Sequence, residues 1–546
     1  MHVDVAKHHG LGFALRAKIH WSRYAGPCLK CTSAQRQKAA HFRFVRSSES
    51  FAVHFVIYPF TPSSMASALS EPIETRLFIN GEFRDASSKE TFDVVYPYTK
   101  EVIAQVQEAT VQDVDDAVAA AGAAFPAWRD TSIEVRGSYM QTLSKLILES
   151  NAELAKLEAL SMGRPVSGFF DAALAAEYFS YFATAAWSAQ GTASLHTPDQ
   201  LSMTVRQPYG VVGLIIPWNF PLVLLAGKVA PAIAAGNTVV LKSSEKAPLT
   251  SLYIAKLIKK AGFPPGVINV ISGHGEPSGS ALSSHMKVRC ISFTGSSLTG
   301  QKIQVAAAKS NLKHVLMELG GKSPAIVFED ADIESAAAQT QFSIQFNSGQ
   351  ICTANSRIYV HESVADQFIK SFREKFEAQS IGDPLDPTTS HGPQIDIKQY
   401  NRIKEYLAIG EKDGKLSAGG DGSDGYFVKP TIFEDVPPNS RLVKEEVFGP
   451  VVVITRFSTE AEAIEKANDT EFGLYASVFT KDIDRAIRLA KSLEAGTVGV
   501  NCTSPTGAKD GAFGGWKMSG SGREGLLYSL ESFLETKSII FKTSRL

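Results

Sequence analysis

Val211-Val212-Gly213-Leu214-Ile215-Ile216-Pro217-Trp218-Asn219-Phe220-Pro221 reads as a short strand running into a turn and then a helix. Its first residues are apolar without alternation, the pattern of a strand buried on both faces, and Pro217 ends it. Pro221 suits the first turn of a helix, where its missing N–H leaves nothing unpaired. That helix is expected over 221–235, closed by Gly236-Asn237. The unit then repeats. Residues 238–242 form a second buried strand, 249–261 a helix stopped by Gly262 and Pro264-Pro265, and 267–271 a third strand. Ile291-Ser292-Phe293 ends a fourth, and 325–328 begins a second series. Upstream, 113–125 and 135–160 read as helices, the latter ending near Gly163-Arg164-Pro165. Apolar strands alternating with helices imply an α/β fold with a parallel sheet covered on both faces.

Ligands of such sheets bind beyond the carboxyl ends of the strands, which directs attention to four turns. Pro217-Trp218-Asn219-Phe220 follows the first strand, Lys242-Ser243-Ser244-Glu245 the second, Gly273-His274-Gly275 the third and Thr294-Gly295-Ser296 the fourth. Glycine there lets a pyrophosphate or nicotinamide approach the backbone. Lys242 and Glu245 suit ribose hydroxyls, and the Glu245 charge disfavours a 2′-phosphate. Taken singly, each turn reads equally well as a solvated loop.

Further on, Phe346-Asn347-Ser348-Gly349-Gln350-Ile351-Cys352-Thr353-Ala354-Asn355-Ser356-Arg357 places one cysteine on a turn of small polar residues. A thiolate there can form a covalent intermediate with a carbonyl carbon. Cys290 reads as a packed core residue, and Cys502 has no partner suggesting chemistry.

With these segments stand Gly236-Asn237-Thr238-Val239-Val240-Leu241-Lys242, Phe293-Thr294-Gly295-Ser296, Met317-Glu318-Leu319-Gly320-Gly321-Lys322-Ser323-Pro324, Glu445-Glu446-Val447-Phe448-Gly449-Pro450 and Phe513-Gly514-Gly515-Trp516-Lys517-Met518-Ser519-Gly520. In this order, residues 72–540 resemble an NAD(P)-dependent aldehyde dehydrogenase. The resemblance implies a Rossmann-type cofactor domain (66–189 and 208–318), an α/β catalytic domain (319–525) and a small β oligomerisation flap (190–207 and 526–546) whose strands pair across subunits of a homodimer or homotetramer. It implies that Cys352 is the nucleophile, that Asn219 and the Cys352 N–H receive the oxyanion, and that Glu318 activates water. NAD, rather than NADP, would be held by Ile216, Trp218, Lys242, Glu245, Gly275, Gly279, Thr294, Gly295, Ser296, Leu319, Glu446 and Phe448. Lys322 would steady the loop behind Glu318, with Lys517 and Glu524 structural. Gly227 and Gly507 fall where several members of the family place large aromatics, and Phe220, Leu224, Phe346, Ile351 and Phe513 would leave an apolar wall. The implied substrate is a medium or bulky apolar aldehyde, aromatic or fatty. Glu318 argues for water rather than coenzyme A as acyl acceptor, and Cys352, Glu318 and Asn219 together argue against a silent structural relative.

Composition is that of a globular protein: 546 residues, 44% hydrophobic, with a net charge of -1. Near-neutral charge gives no reason to expect nucleic acid or an anionic membrane as partner, and no apolar run is long enough to span a bilayer. Five cysteines are too few for a disulfide framework. The lone Cys28-Leu29-Lys30-Cys31 lacks the further ligands a zinc site needs, so no metal is expected. Charge is uneven: residues 1–64 hold nine Lys or Arg against Asp4 and Glu49. This stretch is expected to be either a transit peptide, which would direct the chain to the mitochondrion, or a non-native leader before Met65. Ser544-Arg545-Leu546 is a conservative variant of the Ser-Lys-Leu peroxisomal address, so peroxisome, or else cytoplasm, is the competing expectation.

Overall fold

The computed structural model describes residues 69–420, 425–505 and 510–543. The basic leader, the Cys28–Cys31 pair, Met65, Gly507 and Ser544-Arg545-Leu546 lie outside the described residues.

The opening stretch is the centre of the first sheet. The strand Val211–Ile215 is buried at every position and lies between Thr238–Ser243 and Val288–Thr294, parallel to both. Ile268–Ser272 and His314–Glu318 continue the parallel array on either side. Taken in chain order, the five run 3-2-1-4-5 across the sheet. The order reverses between Val211–Ile215 and Val288–Thr294, so a crevice opens beyond their carboxyl ends. Ile216, Asn219, Thr294 and Gly295 all fall at that point.

Strand and helix limits agree with the reading of the sequence to within a few residues, with instructive exceptions. The helix expected at 113–125 runs Val111–Asp130, because Thr110 and Asp113 form a capping box and Pro126 is accommodated inside. The stretch 135–160 is two helices, Ile133–Glu149 and Asn151–Met162, meeting at Ser150; the second ends on Gly163 in the left-handed region. The first sheet is not purely parallel. Leu77–Ile79 and Glu82–Arg84 add an antiparallel edge. Gly520–Ser521 adds another against His314–Glu318, although it lies far along the chain in the range assigned to the second domain.

The second sheet has the order Lys415–Ala418, Thr431–Glu434, Val451–Phe457, Arg357–His361, Pro324–Val327, Tyr475–Phe479, Thr497–Val500. Only the Lys415–Ala418 edge is antiparallel. Each sheet packs its own hydrophobic core. The Cys352 turn immediately precedes Arg357–His361 and Gly449-Pro450 immediately precedes Val451–Phe457. The second sheet therefore presents the amino ends of its strands where the first presents carboxyl ends.

The flap differs from expectation. Gln200–Pro208 and Leu534–Lys542, expected to pair across subunits, pair antiparallel with each other along their full lengths within one chain. Asn237 ties this flap to the first sheet. Its side chain is fully buried, accepts from the Gly210 N–H (3.1 Å) and donates to the carbonyls of Ala232 (3.1 Å) and Phe533 (3.0 Å). Replacing it by alanine strands the buried Gly210 N–H and Phe533 carbonyl, each costing about 1–3 kcal/mol when unpaired, while the Ala232 carbonyl still accepts from the backbone N–H of residue 237 (3.0 Å). N237A is therefore expected to lower unfolding free energy by about 2 kcal/mol or more, read as a lower urea midpoint at unchanged slope.

Candidate active site

The cysteine turn is built under strain. Asn347, Ser348 and Gly349 have φ of 50°, 54° and 76°, three consecutive residues in the left-handed region. Such conformations persist only where surroundings over-determine them. Here they do: Asn347 donates to the Asn219 carbonyl (3.1 Å), Ser348 to the Gly392 carbonyl (2.8 Å), and Gln394 to the Ser348 carbonyl (3.1 Å). Gln350 donates to Asn347 O and accepts from Ile395 N, both at 3.0 Å. A Cβ on Gly349 would lie 2.1 Å from the Gly449 carbonyl carbon, so no other residue fits. Cys352 is delivered by this turn, half-buried.

Its thiol is pushed up to about 12, first by loss of surrounding water and then by the carboxylates of Glu446 and Glu318; the backbone N–H groups of Cys352 and Thr353 pull the other way. Those N–H groups are thus aimed at charge on or beside the sulfur. Asn219, on the turn after Val211–Ile215, is buried and donates its amide to the Gln350 carbonyl at 3.0 Å. This bond fixes the amide beside the cysteine turn and occupies one of its two N–H donors.

Glu318 ends the His314–Glu318 strand, buried, with its Oε2 unpartnered. Burial raises it well above the usual carboxylate range, the Glu524 charge raises it further, and Lys228 and Arg523 oppose. Behind it is a pair that sequence reading did not find. Lys228 Nζ, buried, donates to Glu524 Oε1 at 2.5 Å and to Ser292 Oγ at 2.9 Å. Glu524, expected to be structural, faces the candidate base electrostatically. The signal was available: Lys228 is the one charge in the otherwise apolar helix Pro221–Ala234. Asn347 and Gln350 were also missed as partners of Asn219, because their roles depend on which carbonyls the folded turn presents.

The remaining predicted residues divide. Gly320 and Gly321 pass between Glu446 and Cys352: Cβ atoms there would lie 2.4 Å from Glu446 Oε2 and 2.1 Å from Cys352 O. Gly321 N–H donates to Glu446 Oε1 at 2.8 Å, and burial pushes that carboxyl up to about 7. Trp218 meets Phe448 edge to face at 5.4 Å. Lys242 is buried and lowered by desolvation; it donates to the Ser243 carbonyl (3.0 Å) beside Gly279. Glu245 stands half-buried next to it. Gly275 is open, with nothing within 4 Å of a Cβ placed there. Leu319 N–H donates to Ser519 O (2.9 Å). Ser296 is exposed, and its hydroxyl caps its own helix by accepting from Thr299 N. Lys322 is buried, its amine drawn down to about 7 by burial and by Arg357. Lys517 binds the carbonyls of Asn468 and Thr470. On the substrate side, Phe220, Phe346 and Phe170 form a stack, with ring centroids 5.9 and 5.5 Å apart. The space left by Gly227 is partly refilled, since Tyr178 Cζ lies 3.9 Å from where its Cβ would be.

A thiol, an amide donor and a buried carboxylate of raised pKa thus meet at the mouth of a Rossmann-type sheet. The model of the aldehyde dehydrogenase family matches residues 83–539. The chain belongs to the aldehyde dehydrogenase family. It is 45% identical to retinal dehydrogenase 2 of Homo sapiens over 476 residues, covering 86% of this chain and 92% of that protein. It is 46% identical to an aldehyde dehydrogenase of Emericella nidulans over 471 residues, 85% of this chain and 95% of the relative. Among solved structures it resembles an indole-3-acetaldehyde dehydrogenase complexed with NAD+, with TM-score 0.85 and 40% identity over 87% of this chain and 97% of that one. As a member of the family, the protein is an oxidoreductase acting on an aldehyde.

Glu318 should respond to its neighbours with opposite signs. Its pKa is raised, so the deprotonated form that can accept a proton from water exists only above the ordinary carboxylate range. E524Q removes a negative charge and should move the rising limb of acyl-enzyme hydrolysis to lower pH; K228M removes a positive charge and should move it higher. Stopped-flow deacylation after reaction with an activated ester checks both, and shifts of one sign in both variants contradict the coupling.

Proposed function

We propose that the protein oxidises an apolar aldehyde, aromatic or fatty, to the carboxylic acid with NAD, through a covalent intermediate on Cys352. The observation that supports this best is the pairing of Cys352 with Glu318: a nucleophile and a buried carboxylate, its Oε2 unpartnered, close enough for its charge to bear on the thiol. A relative that hands its acyl group to coenzyme A has no use for such a base.

The cofactor cleft fits NAD on features of this chain. Thr294 Oγ1 is buried without a partner at the sheet's switch point, the Gly275 turn is open, and Lys242 with Glu245 offers a cation and a carboxylate to a ribose. Ile216, Trp218, Gly279, Gly295, Leu319, Glu446 and Phe448 would complete the cleft; Ser296 would contribute by setting its helix. Bound there, NAD supplies the hydride acceptor.

The chain's own part follows. Cys352 gives up its thiol proton to water, its sulfur bonds to the aldehyde carbon, and the C=O π bond opens to an alkoxide held by the Asn219 amide and the Cys352 N–H. Each donor of that kind contributes on the order of 3 kcal/mol. After hydride loss the carbon is a thioester. Glu318 takes a proton from water, the hydroxide adds, the C–S bond breaks, and the thiolate and the acid separate. The raised pKa of the thiol means that it rests protonated and must lose that proton before the sulfur can attack.

The stacked wall of Phe170, Phe346 and Phe220 supports an apolar acyl group. We further propose that the protein is a homodimer or homotetramer associating through the flap. Leu534–Lys542 is an edge strand, and Ile540 and Phe541 on it are 63 and 47% exposed, the kind of edge that proteins cover.

C352A should abolish NADH formation. N219A should lower kcat by about 10²–10³-fold. E318Q should accumulate an acyl-enzyme, visible as an added acyl mass on the intact protein; free turnover in E318Q refutes the base. A kinetic panel of acetaldehyde, hexanal, decanal and benzaldehyde should show acetaldehyde as the poorest substrate, and the reverse order refutes the substrate class.

A further inference from the structure

Arg164 lies behind the aromatic wall. Its side chain is 2% exposed. Its guanidinium donates to both oxygens of Asp171 (2.6 and 2.5 Å) and to Glu158 Oε2 (3.3 Å), each acid being itself buried. Its Cζ lies 4.8 Å from the ring centre of Phe220, 5.3 Å from Phe346, and 5.6 Å from both Phe169 and Phe170.

The three stacked rings come from separate parts of the chain. Phe170 precedes the helix Asp171–Ala185, Phe220 precedes Pro221–Ala234, and Phe346 follows Ile333–Gln345. No common backbone element holds them in register; Arg164 reaches all three. Asp171, gripped by the guanidinium fork, is the residue after Phe170. Glu158, which shares Nη1 of the guanidinium with Asp171, accepts from the Leu222 N–H (3.4 Å), two residues after Phe220 and three after Asn219. Phe346 is held through its ring face and leads into the left-handed turn that carries Cys352. Gly163, just before Arg164, packs on Pro393, beside the Gly392 carbonyl that binds Ser348. The stack runs outward to Phe342, which meets Phe346 at 5.2 Å and is half exposed. The wall therefore extends from a buried cation to solvent. A lysine could balance charge here, but a point charge cannot form the fork with Asp171, reach Glu158 and present a flat face to the rings.

We infer that Arg164 is a positioning residue that holds the Phe170–Phe346–Phe220 wall and thereby sets the preference for aldehydes with aromatic or bulky apolar groups. This rests on the proposed function, since it assigns that wall to the aldehyde's apolar group.

The test compares wild type, R164K and F170L in steady-state oxidation of phenylacetaldehyde and acetaldehyde, each variant first shown to bind NAD with unchanged stoichiometry by calorimetry. R164K keeps a cation beside Asp171, and F170L leaves the Arg164–Asp171 ion pair in place, so neither depends on tolerance of an uncompensated buried charge. In both, the phenylacetaldehyde-to-acetaldehyde ratio of kcat/KM should fall about tenfold or more, the scale on which pocket contacts discriminate apolar groups. The loss should appear mainly in KM for phenylacetaldehyde. A role in stability alone would lower both substrates together through kcat, leave the ratio unchanged and overturn the inference. A drop in F170L with none in R164K also overturns it, because the wall would then stand without the guanidinium. If wild type itself prefers acetaldehyde, the proposed substrate class fails, an outcome separate from an unchanged ratio in the variants.

Discussion

Two parallel sheets meet end to end in this protein, and the Gly320-Gly321 step is where they touch. There the chain leaves the strand of Glu318 and enters the second sheet at Pro324, passing between the Glu446 carboxylate and the Cys352 carbonyl with no room for a Cβ on either residue. Everything at the site depends on that closeness. The first sheet contributes the carboxyl ends of its strands, with Asn219, Thr294 and Glu318. The second contributes amino ends, with the cysteine turn before one strand and Gly449-Pro450 before another. Any side chain at the junction would force the thiol and the carboxylate apart.

Closeness of this kind keeps water out, and the charges show the consequence. Cys352, Glu318 and Glu446 are all pushed toward their neutral forms, chiefly by burial. Burying an ionisable group disfavours its charge unless a partner compensates. The Lys228–Glu524 pair and the Arg164 cluster lie one layer out, where charge is paired. The inner layer is left poorly compensated, so its groups rest in their neutral forms. Backbone strain has the same origin: three left-handed residues before Cys352 are held by hydrogen bonds from Gln350, Gln394 and Asn347, not by local preference.

Legibility in the sequence followed the range of the interactions. The apolar strands and their helices were readable because burial on both faces leaves a local pattern, and so were the glycine turns at strand ends. The antiparallel edges were not: Leu77–Ile79 and Gly520–Ser521 are too short to show a period, and they join the sheet from opposite ends of the chain. The flap strands were recognised as strands, but their pairing within one chain is a matter of where the ends of the domains lie. In the site, the motif residues were identified by resemblance, whereas the contacts of Asn347, Gln350 and Arg164 emerged only in three dimensions; Lys228 stands out in the sequence as the one charge of an apolar helix, but its partner Glu524 does not. Ser296, expected in the cofactor cleft, also caps its own helix, a role its spacing to Thr299 permits.

By itself the sequence determined the α/β class, the family, and the chemical types brought to the site, because a thiol on a small polar turn and a carboxylate at a strand end are local facts. The tertiary structure decided how those groups feel one another. Whether Glu318 is a base of raised pKa, whether Asn219 is fixed beside the cysteine, and what stands behind the aromatic wall are set by contacts between residues as much as 296 positions apart. Desolvation and Coulomb interaction act through space, and a sequence records only order along the chain.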